Sequence, residues 1–473
     1  MNKRLFSNTI LYTIGEVVPR IISFLMMPIF TRYLAPADYG ILSYTNSVIA
    51  FIYVFCTLAL NTYVLRFFFD CKSEEEEKKL LGNVFVFIAL VNLVVLVFLN
   101  ITGAKIVDNA HITVAWKPYF RLAVFNNFLE SFSIIPLVYY RVKQNAKLFV
   151  GISVGRCILQ YAVTFIILAV FGWGVMSQYY GRLVTLLPFC FLYVAVMIRH
   201  SKLCLDWKQL RGALKFSLPL LPGVVSYLVL TNLDRIILER YVSLEIIGIY
   251  NIAYTIAFAM NMVIQSFYKA LEPNIFQKYN AGSVEYDFIP YMRKINDIYN
   301  FALYALALML SLFAKEALLL VATESYYMAA VYVPLVLVGV IFSGRNMLIN
   351  CVLTAEKRSV VSGIGMMIGA AVSIALNLLL VPRIGVVAAP LALSVSYMIM
   401  NIYLKISTKI RFFSNLRDVI GMVVFLAVSV FPTFDFDLPE ITLVGIKSAL
   451  YIVAVSVLFL NFNLLKVIRL YRR

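Results

Sequence analysis

Charged residues, histidine and paired cysteines are all scarce in this chain. Of its 473 residues, 14% are charged, whereas soluble domains carry about 25%, which excludes a soluble domain of useful size. The two histidines and six scattered cysteines form neither a CxxC motif nor a set of zinc ligands. A Walker motif is also absent, so ATP is not expected as the energy source. The sequence therefore predicts no disulfide, no metal and no cofactor.

Long apolar runs fill the rest of the sequence. Hydrophobic residues make up 62% of the chain, and a run of about 20 apolar residues spans a bilayer as a helix. The runs predict an all-α integral membrane protein with about fourteen transmembrane helices. The predicted spans are residues 10–30, 41–65, 84–103, 120–140, 150–172, 175–198, 214–238, 247–270, 297–321, 328–353, 360–381, 384–405, 418–434 and 441–464.

The 41 lysines and arginines are distributed unevenly among the loops that these spans define. If the N-terminus is cytoplasmic, most of them fall on the cytoplasmic side, as the positive-inside rule requires. Loops with this charge face the anionic lipids of the inner leaflet. The distribution predicts that both termini are cytoplasmic.

A short segment occurs twice in the chain. Residues Arg32–Ile41 (RYLAPADYGI) are matched by Arg240–Ile249 (RYVSLEIIGI), and each copy lies between the first and second spans of a block of six. An even number of spans keeps both blocks in the same orientation. Two parallel halves of this kind are a common plan of transporters, with the substrate site near the midplane between the halves.

The same segments carry a family resemblance. The stretch Phe30–Gly40 (FTRYLAPADYG), with Asn232–Leu238 and Gly248–Tyr254 in the second half, resembles the signatures of Wzx-type oligosaccharide flippases. These belong to the multidrug/oligosaccharidyl-lipid/polysaccharide (MOP) exporter superfamily. The resemblance implies a MATE-like fold, a V-shaped cavity, alternating access and a bacterial cytoplasmic (inner) membrane. With the spans, it divides the chain into six-helix bundles at 1–213 and 214–411, followed by two helices and a tail at 412–473. Asp38, Gly40 and Gly248 are expected to serve turns and packing.

Charged residues inside the spans are mostly cationic: they are Glu16, Arg20, Arg121, Glu130, Arg156, Arg182 and Arg345. Charged residues inside a membrane span are costly, so a functional role is expected for them. Arginine suits a lipid diphosphate because its planar fork bonds phosphate oxygens in pairs. The predicted substrate-binding residues are Arg20, Arg182, Arg345, Arg156 and Arg66.

Glu16 and Arg20 lie one helical turn apart and share a face. Arg20 either faces the cavity and binds phosphate, or forms an internal ion pair with Glu16. Glu16, Glu130 and Asp234 are the candidates for coupling or positioning, and the sequence identifies no partner for Glu130.

The resemblance implies transport of an undecaprenyl-diphosphate-linked oligosaccharide repeat unit to the outer leaflet, for O-antigen, capsule or exopolysaccharide synthesis. The implied partners are this lipid-linked oligosaccharide, membrane lipids, and the polymerase and glycosyltransferases of the pathway, with no nucleic acid. A sodium or proton gradient or the membrane potential would supply the energy. One alternative is a cation-coupled multidrug exporter, and another is a membrane-embedded glycan polymerase. The latter would need a catalytic acid or base near a membrane face.

Overall fold

The computed structural model describes residues 3–433 and 439–464. Within these ranges the chain is helical almost throughout and contains no β-strand. Helices suit an apolar chain because each satisfies its own backbone hydrogen bonds without water. The α-helices are α1 (Lys3–Tyr33), α2 (Pro36–Thr57), α3 (Leu60–Phe67), α4 (Glu74–Asn109), α5 (Arg121–Ser131), α6 (Ile134–Val142), α7 (Ala146–Phe171), α8 (Met176–His200), α9 (Trp207–Ser217), α10 (Leu221–Leu238), α11 (Leu244–Ala281), α12 (Ile289–Leu312), α13 (Ala314–Val321), α14 (Ala329–Ala355), α15 (Ser359–Ile384), α16 (Ala388–Ser407), α17 (Asn415–Ser429) and α18 (Glu440–Asn461).

Twelve helical segments among the described residues are long and apolar enough to cross a membrane. One of them, Ser359–Ser407, holds two helices, α15 and α16, which separate at Gly385 (φ 62°) and pack against each other. A further helix, α17, has 15 residues. Every predicted span overlaps one of these helices, although residue 434 lies outside the described residues. The predicted all-α membrane fold is confirmed.

Three spans predicted as continuous are interrupted. The second breaks between α2 and α3, where Leu58 and Ala59 adopt left-handed backbone (φ 49° and 53°). The fourth breaks between α5 and α6, where Ser131 and Ser133 hydroxyls donate to carbonyls three residues earlier. The ninth breaks at Phe313, between α12 and α13. Pro136 follows the second of these breaks by three residues, and no glycine or proline lies beside the other two. Hydropathy thus located the spans but not the interruptions within them.

Helix α4 has 36 residues and begins with the N-cap residue Ser73. The Ser73 hydroxyl accepts from the Glu76 N–H (3.3 Å), and the Glu76 carboxylate accepts from the Lys72 N–H (2.8 Å). The four glutamates of its first turn also complement the positive end of the helix dipole. The charged run is therefore the exposed start of a long apolar helix.

The chain forms two compact units. Unit 1 contains the residues up to Leu228 and Arg235–Gly248, and unit 2 contains Val229–Asp234 and the residues from Ile249 onward. The predicted boundaries at 213 and 411 stay a prediction. The tail that follows the last predicted span, residues 465–473, lies outside the described residues.

In unit 1, helix α7 packs between α1 and α8, and α5 packs against α4 and α8. One apolar cluster surrounds Leu60, Leu81 and Ile135, and another surrounds Tyr44 and Phe120. In unit 2, α16 packs against both α14 and α15, while α12 contacts α14, α17 and α18. These contacts bring residues far apart in sequence into the interior of each unit.

The two copies of the repeated segment contact each other within unit 1. A Cβ atom on Gly40 would overlap the carbonyl oxygen of Leu244, and one on Gly248 would overlap that of Pro36. The Asp38 carboxylate accepts a hydrogen bond from the Ala35 N–H (3.1 Å) at the start of α2. The expectation that these residues serve turns and packing is confirmed.

Candidate functional site

An open cavity of about 390 Å³ lies among α1, α6, α7 and α8 of unit 1. We call it the unit 1 cavity. Three of its residues are among the predicted site residues: Glu16, Arg20 and Arg156. Its other lining residues are Gly15, Pro19, Ser23, Leu137, Ser153, Cys157, Gln160, Tyr161 and Tyr193. The mixture of cations, hydroxyls and an amide can hold a polar, anionic group.

Arg20 is the exposed cation of this cavity. Among the described residues it forms no salt bridge. The Glu16 carboxylate instead lies 3.8 Å from the Arg141 guanidinium, at the end of α6. The internal Glu16–Arg20 ion pair considered from the sequence is therefore not formed in the described part of the chain. Arg20 keeps its hydrogen-bond donors available to a ligand.

Glu130 holds two of the predicted arginines. Its Oε1 accepts from Arg156 Nη1 at 2.5 Å, and its Oε2 lies 3.5 Å from Arg182 Nη2. The side chains of Glu130, Arg156 and Arg182 are 16%, 23% and 33% exposed. Helices α5, α7 and α8 bring the three together over sequence separations of 26 and 52 residues. The partners of Glu130, which the sequence could not identify, are therefore these two arginines.

Arg345 lies in unit 2 and is also paired. It donates to the Asp418 carboxylate, which accepts in addition from Lys405 Nζ (2.8 Å). Sequence reasoning missed both Asp418 and Lys405, because it placed them at the ends of the thirteenth and twelfth spans. The available signal was Asp418 itself, an acidic residue next to a long apolar run.

The remaining predicted residues have local partners. Arg66 pairs with Asp70 on the surface (3.1 Å), and its side chain is 62% exposed. Asp234 is buried and accepts from the Tyr250 hydroxyl at 2.7 Å. Two additional ion pairs lie in unit 2, Arg417–Asp297 and Lys447–Glu316, each at 2.6 Å. Unit 2 thus balances most of its interior charge with its own residues.

Both the sequence and the fold match known proteins. The model of a family described as "Polysaccharide biosynthesis protein" matches residues 5–278. The Lsg locus putative protein 1 of Haemophilus influenzae is 21% identical over 288 residues. That match covers 58% of this chain and 66% of the relative, just under two thirds of the relative's length.

The solved structures that share the fold include a flippase and a transporter. One is a lipid II flippase, MurJ, in an inward closed conformation, with a TM-score of 0.72 and 16% identity over 95% of this chain and 99% of that one. The other is an inward-facing multidrug resistance transporter of the MATE family in the MOP superfamily. Its TM-score is 0.64, with 13% identity over 88% of this chain and 98% of that one. At these identities the likeness shows a common fold.

Proposed function

Because this chain belongs to the polysaccharide biosynthesis protein family, we propose that it moves an undecaprenyl-diphosphate-linked oligosaccharide from the cytoplasmic to the outer leaflet. The family and the fold are those of transporters and flippases. In this proposal no covalent bond is made or broken. The protein would expose its site first to one side of the bacterial cytoplasmic membrane and then to the other, with both termini in the cytoplasm.

The observation that carries the proposal is the available guanidinium of Arg20 in the unit 1 cavity. An unpaired arginine in a membrane span is costly and is retained where a ligand or a cavity compensates it. A diphosphate provides that compensation, because it offers several anionic oxygens to the guanidinium fork. The glycan would meet the polar side chains of the cavity, and the prenyl chain would stay in the lipid.

The other predicted residues take supporting roles in this proposal. Glu130 is a positioning residue, since it pairs with Arg156, which lines the cavity, and lies near Arg182, which is not among the lining residues. Glu16, beside Arg141, is the candidate for coupling to a sodium or proton gradient. The membrane potential alone could also drive an anion outward, because each charge that crosses gains about 2.3 kcal/mol per 100 mV. Arg66, outside the cavity, is the candidate for attracting headgroups at the cytoplasmic entrance.

The charge arrangement disfavours the multidrug alternative. An exporter of cations needs a carboxylate that can bind the drug or the coupling cation. In the described part of unit 1, Glu130 and Glu16, the two carboxylates within the predicted spans, both lie beside arginines. The cavity therefore offers an available cation, which favours an anionic substrate.

The test is headgroup movement across vesicles that contain the purified protein and a fluorescent prenyl-diphosphate oligosaccharide. An added glycosidase would cut only the headgroups exposed outside. We expect Arg20→Ala to slow protein-dependent crossing about tenfold or more, the effect of a lost charge-assisted hydrogen bond. Arg20→Lys should retain part of the rate, because it keeps the charge and loses the fork.

Arg199→Ala is the matched control, because Arg199 is an exposed arginine at the end of α8 and does not line the cavity. Headgroups should cross at the wild-type rate in vesicles that contain this variant. Equal crossing rates in all variants would show that Arg20 is not part of the substrate site. Absence of crossing, combined with uptake of organic cations by the same vesicles, would contradict the flippase function.

A further inference from the structure

A second cavity, of about 450 Å³, lies entirely within unit 2, among the middle of α14, the second half of α16 and the first half of α17. We call it the unit 2 pocket. Its polar lining residues are Arg345, Asn401, Lys405, Asn415 and Asp418. Its apolar lining residues are Phe342, Met398, Ile402, Ile406, Val419, Met422 and Val423. Charged groups and a continuous apolar wall therefore share one pocket.

The charged groups leave the pocket with one positive charge in excess. Arg345 and Lys405 both donate to the same oxygen of Asp418, whose other oxygen accepts from the Asn300 amide (3.2 Å). Lys405 also donates to the Asn415 amide oxygen at 3.1 Å. The described residues accept no third hydrogen bond from this ammonium group, which therefore has a donor for an anion.

The pocket has charged residues beside an apolar wall, as a phospholipid has a charged headgroup beside apolar acyl chains. Lys405 lies in the last turn of α16 and Asp418 in the first turn of α17. The ends of membrane helices lie at the level of the headgroups. Beside these charged residues the wall is apolar, and Ile402, Val419 and Val423 are 50%, 59% and 58% exposed.

We propose that the unit 2 pocket binds an anionic phospholipid of the bilayer. Its phosphodiester would accept from Lys405 and lie near the guanidinium of Arg345, and one acyl chain would follow the apolar wall. Basic pockets between transmembrane helices on the cytoplasmic side bind anionic headgroups in this way. The bound lipid is a resident of the membrane, distinct from the transported substrate, so this inference does not rest on the proposed function.

Native mass spectrometry of the full chain in neutral detergent tests the site. The probes are phosphatidylglycerol and phosphatidylcholine with the same acyl chains. We expect tighter binding of phosphatidylglycerol, and Lys405→Gln should weaken it about fivefold, the effect of one cation near a lipid surface. Lys405→Arg keeps the charge and should keep the binding. Asp418→Asn removes the competing anion and should tighten it.

Lys409→Gln is the matched control. It removes the same charge from an exposed position in the loop that joins α16 and α17, outside the pocket. We expect it to weaken phosphatidylglycerol binding much less than Lys405→Gln does. Equal losses in the two variants would overturn the proposal, as would equal binding of the two lipids by the wild-type protein. Displacement of the lipid by an equal concentration of inorganic phosphate would overturn the choice of a lipid as ligand.

Discussion

At the scale of single residues, Glu130 reduces the positive charge beside the unit 1 cavity. It lies between two arginines and neutralises one of them, so that the cavity keeps a limited positive charge. Arginine cannot lose its proton at accessible pH. The carboxylate is therefore needed for the two guanidinium groups to lie close together in a partly buried environment.

We predict that Glu130→Gln destabilises the protein by about 3 kcal/mol, the low end of the cost of breaking a buried ion pair. The low end applies because all three side chains keep some exposure. Thermal unfolding in detergent measures the effect. The double variant Glu130→Gln with Arg156→Gln should be more stable than Glu130→Gln alone, because it removes one uncompensated cation. If the single variant unfolds like the wild type, the cluster contributes little to stability.

At the scale of elements, Asp206 joins the connection before α9 to helix α4. Its carboxylate caps α9 by accepting from the N–H groups of Lys208 (2.9 Å) and Gln209 (3.3 Å). It also pairs with Lys79 of α4 at 2.9 Å. The hydrogen bond from Lys79 holds the pKa of Asp206 below its ordinary value. The ionised form of Asp206 thus favours the folded state.

Because the pKa of Asp206 is lowered, the stability that it contributes should depend on pH. The stabilisation is complete above the ordinary pKa of an aspartate and is lost as the pH falls through the lowered value. Asp206→Asn still caps the helix but cannot attract Lys79, so we expect a small decrease in Tm at pH 7. The difference should shrink as the pH falls below the ordinary pKa of an aspartate, and it should disappear once the wild-type carboxyl has taken up its proton. A difference that stays constant as the pH is lowered to the onset of acid unfolding would assign the effect to the cap.

At the scale of the whole molecule, α4 offers a test of orientation. Lys72 and Asn109 are exposed and flank or end this 36-residue helix. We predict that an impermeant maleimide labels Asn109→Cys on intact cells and labels Lys72→Cys only after permeabilisation. The wild-type chain, whose six cysteines are free, is the control for background. Labelling of Lys72→Cys on intact cells would invert the predicted topology.

The fold could be predicted from the sequence because its signals are local. A run of apolar residues identifies a membrane helix without reference to any other part of the chain, and the signature around Arg32–Gly40 supplied the family, which the match over residues 5–278 confirms. The candidate site was harder to predict from the sequence. The pairs Arg156–Glu130 and Arg345–Asp418 join residues on different helices, and no periodicity within one helix reveals such partners. The cationic side chains could therefore be identified from the sequence, but most of their ion-pair partners could not.

The contact between the two repeated segments has a consequence for the entropy of folding. At Gly40 and Gly248 the helices meet backbone against backbone, with no room for a side chain on either residue. Neither glycine has rotamers to lose when the contact forms or to regain when it breaks. Forming this contact therefore costs no side-chain entropy at these two positions, whereas a side chain on either residue would force the two backbones apart.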